Sequence, residues 1–243
     1  MSIRRILIMT YYNFLPMLKQ PLTIVTVVGY TVVPIIFLYW AFSEIGLVHG
    51  LIGAMVVSLA FGGIFLSQDF YYNKQYFKLQ DFLVASPLKS HEYIIGISLS
   101  GFILGIPVLI PALYLINMFR PTGILENIII ILILAVAYIT MTFIGFVLGT
   151  CINNPTLING LSNILGLIFS FLSPVYYPLD LLPTALRYLT YIIPTTHIAH
   201  LIRVYIGVTN VSDLPVCCHW IILALMIIAF ILISLKKARW REM

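Results

Sequence analysis

NIIIILILAVAYITMTFIGFVLGTCINNPTLINGLSNILGLIFSFLSPVYYPL, residues 127–179, lies between Glu126 and Asp180 without a single Asp, Glu, Lys or Arg. At ~1.5 Å per helical residue this stretch is long enough to cross a hydrocarbon core of ~30 Å twice. Asn153-Asn154-Pro155 breaks it near the middle, a turn signal with a helix-stopping proline. The two halves are continuously apolar rather than alternating, which selects helices over barrel strands.

The same pattern recurs along the chain. Uncharged gaps, each long enough for one helical span, separate Lys19 from Glu44, Glu44 from Asp69, Glu92 from Arg120 and Asp213 from Lys236. Six helical spans are therefore expected, at about 22–42, 47–68, 93–117, 127–150, 157–173 and 215–235, in one all-α membrane domain covering residues 1–243. Composition agrees: 61% of the 243 residues are hydrophobic and 9% charged. Those are too few charges to cover a water-facing surface or to keep a chain disordered. The first apolar run starts late, is long and lacks a small-residue cleavage site, so no cleaved signal peptide is expected.

An even number of spans puts both termini on one side. With the termini inside, Arg4, Arg5, Lys19, Lys74, Lys78, Lys89, Lys236, Lys237, Arg239 and Arg241 are cytoplasmic, ten of the thirteen basic residues. Only Arg120, Arg187 and Arg203 fall outside, so the expectation is a multi-pass protein of the cell membrane with cytoplasmic termini. The net charge of +5 follows from this topology and calls for no nucleic-acid partner.

Residues 1–20 mix Ile3, Ile6, Leu7, Met9, Tyr11, Phe14 and Leu18 with Arg4, Arg5 and Lys19, the pattern of an amphipathic helix on the cytoplasmic interface. The cytoplasmic loop 69–92 contains Leu79, Phe82 and Leu83 at helical spacing, with Pro87 ending the helix near Ser86. Such a short helix is unstable alone in water and needs a docking surface, for which Phe77, Phe82 and Leu83 are anchors and Asp81 a polar contact. Outside, residues 174–213 contain two short helices, opened by Pro178–Pro183 and by Pro194-Thr195-Thr196, expected to lie in or dip into the interface. On the second, Ile198, Leu201, Ile202 and Tyr205 share one face and His197, His200 and Arg203 the other.

Several chemistries are missing. No Gly-Lys-Ser/Thr exists, and Lys89-Ser90 is preceded by Leu88, so the chain has no P-loop and is not expected to be an ATPase. His91-Glu92 is followed by Ile95 where a zinc protease needs His. Ser86-x-x-Lys89 sits in a wet, proline-containing loop, a poor setting for a Ser-x-x-Lys nucleophile. His197 and His200 lack an obvious third ligand and have Arg203 one turn on, so polar contacts are expected there and no metal. Cys151, Cys217 and Cys218 read as small buried hydrophobes. No ionisable residue falls at the middle of a span, where ion-coupled carriers usually keep one.

Gly101-x-x-x-Gly105 and Gly145-x-x-x-Gly149 are expected to let helices approach closely, and Pro107 and Pro111 to kink the third span. In span five, Asn159, Ser162, Asn163, Gly166, Ser170 and Ser173 recur at steps of three and four on one face. This stripe is either polar packing against a neighbouring helix or the lining of a translocation path. In span two, Ser58, Gly62 and Phe65 also share a face.

Two segments carry a resemblance. Leu79-Gln80-Asp81-Phe82-Leu83-Val84-Ala85-Ser86-Pro87, ending at Gly96, resembles the coupling segment of ABC-2 type exporter permeases. Ser173-Pro174-Val175-Tyr176-Tyr177-Pro178, with Pro183, Leu186, Pro194-Thr195-Thr196 and Arg203, resembles that family's signature between its last two spans. The fit is nearest to drug-resistance-type permeases, although Asn73, Lys74 and Lys78 stand where many members have a glycine and charged residues. The resemblance implies a half-transporter: two permease chains, here expected as a homodimer, with two separate ATP-binding subunits that bind ATP and Mg. It implies that Phe77, Leu79, Asp81, Phe82, Leu83, Ser86 and Pro87 couple to the ATPase. Spans two and five would then line the path, through Ser58, Gly62, Phe65, Asn159, Ser162, Asn163, Gly166 and Ser170. The cargo would be hydrophobic or amphipathic, amid membrane lipids. The competing class is an ATP-independent channel or scaffold.

Overall fold

The computed structural model describes residues 3–19, 21–75, 90–208 and 214–237. Among them the chain is all helical, without a strand. The helices are α1 (Ile3–Leu18), α2 (Pro21–Gln75), α3 (Ser90–Phe119), α4 (Ile124–Cys151), α5 (Pro155–Leu167), α6 (Thr184–Thr190), α7 (Pro194–Ile206) and α8 (Val216–Lys237). A π turn, Ile168–Leu172, extends α5. Five helices among the described residues are long and apolar enough to cross a membrane: α2, α3, α4, α5 with its π turn, and α8.

The sequence predicts two segments here, and the 55 residues of α2 are two helices joined across a kink. One residue, Ser43, breaks its helical geometry with φ 54° and ψ −135°. Around it the chain folds back. A Cβ on Gly50 would lie 3.1 Å from the Ile35 Cα, and one on Gly46 would fall on the Leu38 carbonyl oxygen. An unbroken helix would separate Ile35 from Gly50 by about 22 Å. The two arms, 21–42 and 44–75, therefore run antiparallel with their backbones nearly touching.

The second arm is the axis of the molecule. Leu51, Ile52, Met55, Leu59, Ile64 and Leu66 are essentially inaccessible within it. It packs chiefly against α4 and α3. The α4 contact is backbone to backbone: a methyl on Gly145 would land on the Gly63 carbonyl oxygen, and one on Gly149 would lie 2.5 Å from the Ser67 carbonyl oxygen. The second expected glycine pair is looser. Gly101 is approached by the Tyr138 hydroxyl, whereas a Cβ on Gly105 would meet Leu59 at an ordinary 3.6 Å. α3 runs as one helix through Pro107 and Pro111.

At the end of α2 opposite the Ser43 turn, α1 lies against the start of α3. Met9 covers Gly96, the Thr10 hydroxyl donates to the Gly96 carbonyl at 3.1 Å, and Arg5 pairs with buried Glu92 at 3.6 Å. Only one side of α1 is buried this way; Ile3, Leu7 and Tyr11 remain exposed. Cys151 and Cys217 are exposed and Cys218 half-buried, all free thiols, so the expectation of buried cysteines fails. They sit at helix ends, where the packed core has given out.

Candidate functional site

α5 begins where the sequence breaks. Asn154 caps it, accepting from the Thr156 and Leu157 amides at 2.9 and 3.2 Å, with Pro155 at the first helical position. α5 then runs antiparallel to the second arm of α2. The amide of Asn159 donates to the Tyr72 hydroxyl at 3.1 Å, Ser162 and Ser67 share a hydroxyl hydrogen bond of 2.7 Å, and Gly166 lies under the Phe61 ring.

The polar stripe of α5 thus divides. Ser162, Gly166 and Ser170 are buried. Ser162 and Ser170 also donate to carbonyls one turn back, Ile158 and Gly166, at 2.6 and 2.7 Å. Asn163 is exposed, its amide returned to the Asn159 carbonyl at 2.8 Å. The Asn159 side-chain oxygen is buried with no hydrogen-bond partner among the described residues.

Of the α2 residues, Ser58 is buried and bonds the Met55 carbonyl of its own helix at 3.0 Å. Gly62 faces Tyr138 and the Gly101 carbonyl rather than α5. Phe65 packs with its ring centre 5.1 Å from that of Phe61, which reaches Gly166. The sequence reading missed Ser67, Phe61 and Tyr72, which meet α5 directly; a small hydroxyl in an apolar run was the available signal for Ser67. The coupling residues Phe77, Leu79, Asp81, Phe82, Leu83, Ser86 and Pro87 lie outside the described residues.

Beyond α5, the π turn releases a carbonyl that a regular helix would use. Thr195 donates to it, at Phe169, over 2.8 Å, and Ser173 pairs with Thr196 at 3.0 Å. These bonds lead into α7, which is not an interface helix with one face outward. His197, Ile198, His200, Leu201, Ile202 and Arg203 are all buried. Its polar face is tolerated inside because it is satisfied there. Arg203 donates to the Pro174 carbonyl at 2.8 Å, to the Val175 carbonyl, and through Nε to His49 Nδ1 of α2 at 3.3 Å. His197 Nε2 lies 2.8 Å from the Tyr191 carbonyl and its Nδ1 2.8 Å from His219 Nδ1 of α8. The His200 and His219 rings stack at 4.4 Å.

Burial holds His200 down to about 4, with the Arg203 charge pushing the same way, and lowers His197. Burial lowers Arg203 to about 9, which still leaves it a cation at neutral pH.

The sequence profile of ABC-2 family transporter proteins matches residues 43–236. The chain belongs to the ABC-2 transporter family. As an ABC-2 protein it is a membrane permease component of an ABC transporter, a transport part and not the ATPase. The match runs from the Ser43 turn through α8, taking in both the α2–α5 contact and the buried polar cluster. No curated protein matches the chain.

Proposed function

We propose that this ABC-2 permease is the membrane half of an ATP-driven exporter. It crosses the cell membrane six times, the arms of α2 counting separately, with both termini cytoplasmic. It works as a homodimer with a separate ATP-binding subunit that supplies ATP and Mg, and moves a hydrophobic or amphipathic cargo outward among membrane lipids. The observation that carries this reading is the family match over 43–236 in a chain whose sequence has no Gly-Lys-Ser/Thr. ATP energy must then enter through a partner.

In this reading the loop around Asp81 receives that energy, and the facing surfaces of α5 and the second arm of α2 part to form the path. Ser162, Gly166 and Ser170 are buried in the resting chain, so turnover is what would wet them. The pure chain should show no ATP hydrolysis, and affinity capture from native membranes should bring down an ATP-binding subunit in comparable amount. Asp81→Ala with Phe82→Ala should insert normally but lose that association; stranding the polar partner of Asp81 costs roughly 2–5 kcal/mol. Cysteines at 162, 166 or 170 should react with small water-soluble thiol reagents during turnover, and cysteines at 161, 165 or 168 should not. Hydrolysis by the pure chain, or an intact complex in the double variant, refutes the division of labour.

A further inference from the structure

At the end of the molecule nearest the Ser43 turn, five side chains able to carry positive charge are buried together. His49 comes from α2, His197, His200 and Arg203 from α7, and His219 from α8; all are at most 9% exposed. Hydrogen-bond partners fix the protons of His49, His197 and His219. The Tyr191 carbonyl can only accept, so His197 Nε2 carries a hydrogen. In neutral His197, Nδ1 is then an acceptor, and its contact with His219 Nδ1 requires the latter to donate. Arg203 has no acceptor atom, so His49 Nδ1 must be bare to receive its Nε–H.

The Arg203–His49 bond fails when His49 takes a second proton and the His197–His219 bond fails when both rings do, whereas the His197–Tyr191 bond survives. A proton on His49 Nδ1 turns its contact with Arg203 into two donors and two cations facing each other. One proton on the His197–His219 pair is accommodated, on His219 Nε2 with the bond intact or on His197 Nδ1 if His219 changes tautomer; two are not, because both Nδ1 atoms then donate. Among the described residues no carboxylate forms an ion pair with His197, His200 or His49. Asp180 is exposed and favours charge on His200 and Arg203 from a distance, whereas Arg203 and His197 oppose charge on His200. Tyr177, the other titratable group near Arg203, is raised by burial and stays neutral.

We propose that this cluster is a proton-sensitive latch: it clasps the 174–206 segment to α2 and α8 when its histidines are neutral, and protons reaching this end of the protein release it. The sign is fixed by the direction of the shifts. A histidine lowered in the clasped state and ordinary, near 6.5, in the released state binds more protons on release. Clasping is therefore complete above about 6.5 and weakens as pH falls toward about 4. Each proton taken up only on release, by a group moving from about 4 to about 6.5, raises the opening equilibrium about 15-fold between pH 6.5 and pH 5.0 and about 25-fold between pH 7.5 and pH 5.0.

The test is hydrogen exchange of the full chain in lipid nanodiscs at pH 7.5 and 5.0, corrected for intrinsic rates, with α3 as the internal reference. The wild type should lose protection across 174–206 by about 25-fold or more, while α3 stays constant. His49→Gln with His219→Asn keeps an acceptor for Arg203 and a donor for His197 but cannot titrate; its acid response should fall several-fold below that of the wild type. Unchanged protection of the wild-type segment at pH 5.0, or an equal acid response in the double variant, overturns the latch. Should the double variant not fold, imidazole nitrogen NMR of the wild type decides. Midpoints well below about 6.5 support the latch, and midpoints at or above it overturn it.

Discussion

Ser43 holds a backbone conformation, φ 54° and ψ −135°, that belongs to glycine. It is the one positive-φ residue other than glycine among the described residues, and the whole fold-back of α2 turns on it. Ser43→Gly should therefore raise stability by roughly 1 kcal/mol, read as a higher melting temperature in detergent, while Ser43→Val should lower it. Arg203 is the opposite case, a residue whose value lies in what it satisfies. Arg203→Met removes three donated bonds and leaves the Pro174 and Val175 carbonyls buried without them. A loss of about 2–5 kcal/mol is expected, and Arg203→Lys should recover only part of it, because a point charge cannot reproduce the fork. Equal melting of Arg203→Met and wild type would show that the carbonyls find other partners.

At the scale of helices, α2 and α4 meet backbone to backbone. Gly145→Ala places a methyl on the Gly63 carbonyl, so the two backbones must separate. That separation should cost about 1–3 kcal/mol. Gly105→Ala, with only an ordinary contact in its way, should be near neutral, and the pair of melting curves checks the contrast. This joint was legible in the sequence as Gly145-x-x-x-Gly149, and the helices were legible as gaps between charges, because a bilayer demands long uncharged runs. The Ser43 turn was legible as the charge of Glu44 between spans 22–42 and 47–68, whereas its being made by one residue was not. The burial of α7 was not legible at all. Its histidines and Arg203 look like a wet face until His49, 154 residues away, and His219 are brought beside them. The α5 stripe was visible, but its partner Ser67 was not, because pairing across 95 residues leaves no local signal.

For the molecule as a whole, the turns sort into two ends. The Asn153 turn touches the end of α2, where Tyr71 and Gln75 reach it at 3.4 Å. The Asn117–Thr122–Asn127 cluster closes the α3–α4 turn at the opposite end of those helices, with the Thr122 hydroxyl donating to Asn117 at 2.7 Å. Cysteines at Asn154 and at Thr122 should therefore be labelled from opposite sides of the membrane by an impermeant maleimide, with Asn154 on the side of the termini. Labelling of both from one side would contradict the six-span arrangement. The fold-back at Ser43 also bears on biogenesis. Two apolar arms joined by a single residue leave no hydrophilic loop for the translocon to thread across. The nascent chain would thus commit residues 22–68 to the bilayer in one event, as a preformed wedge against which every later segment is assembled.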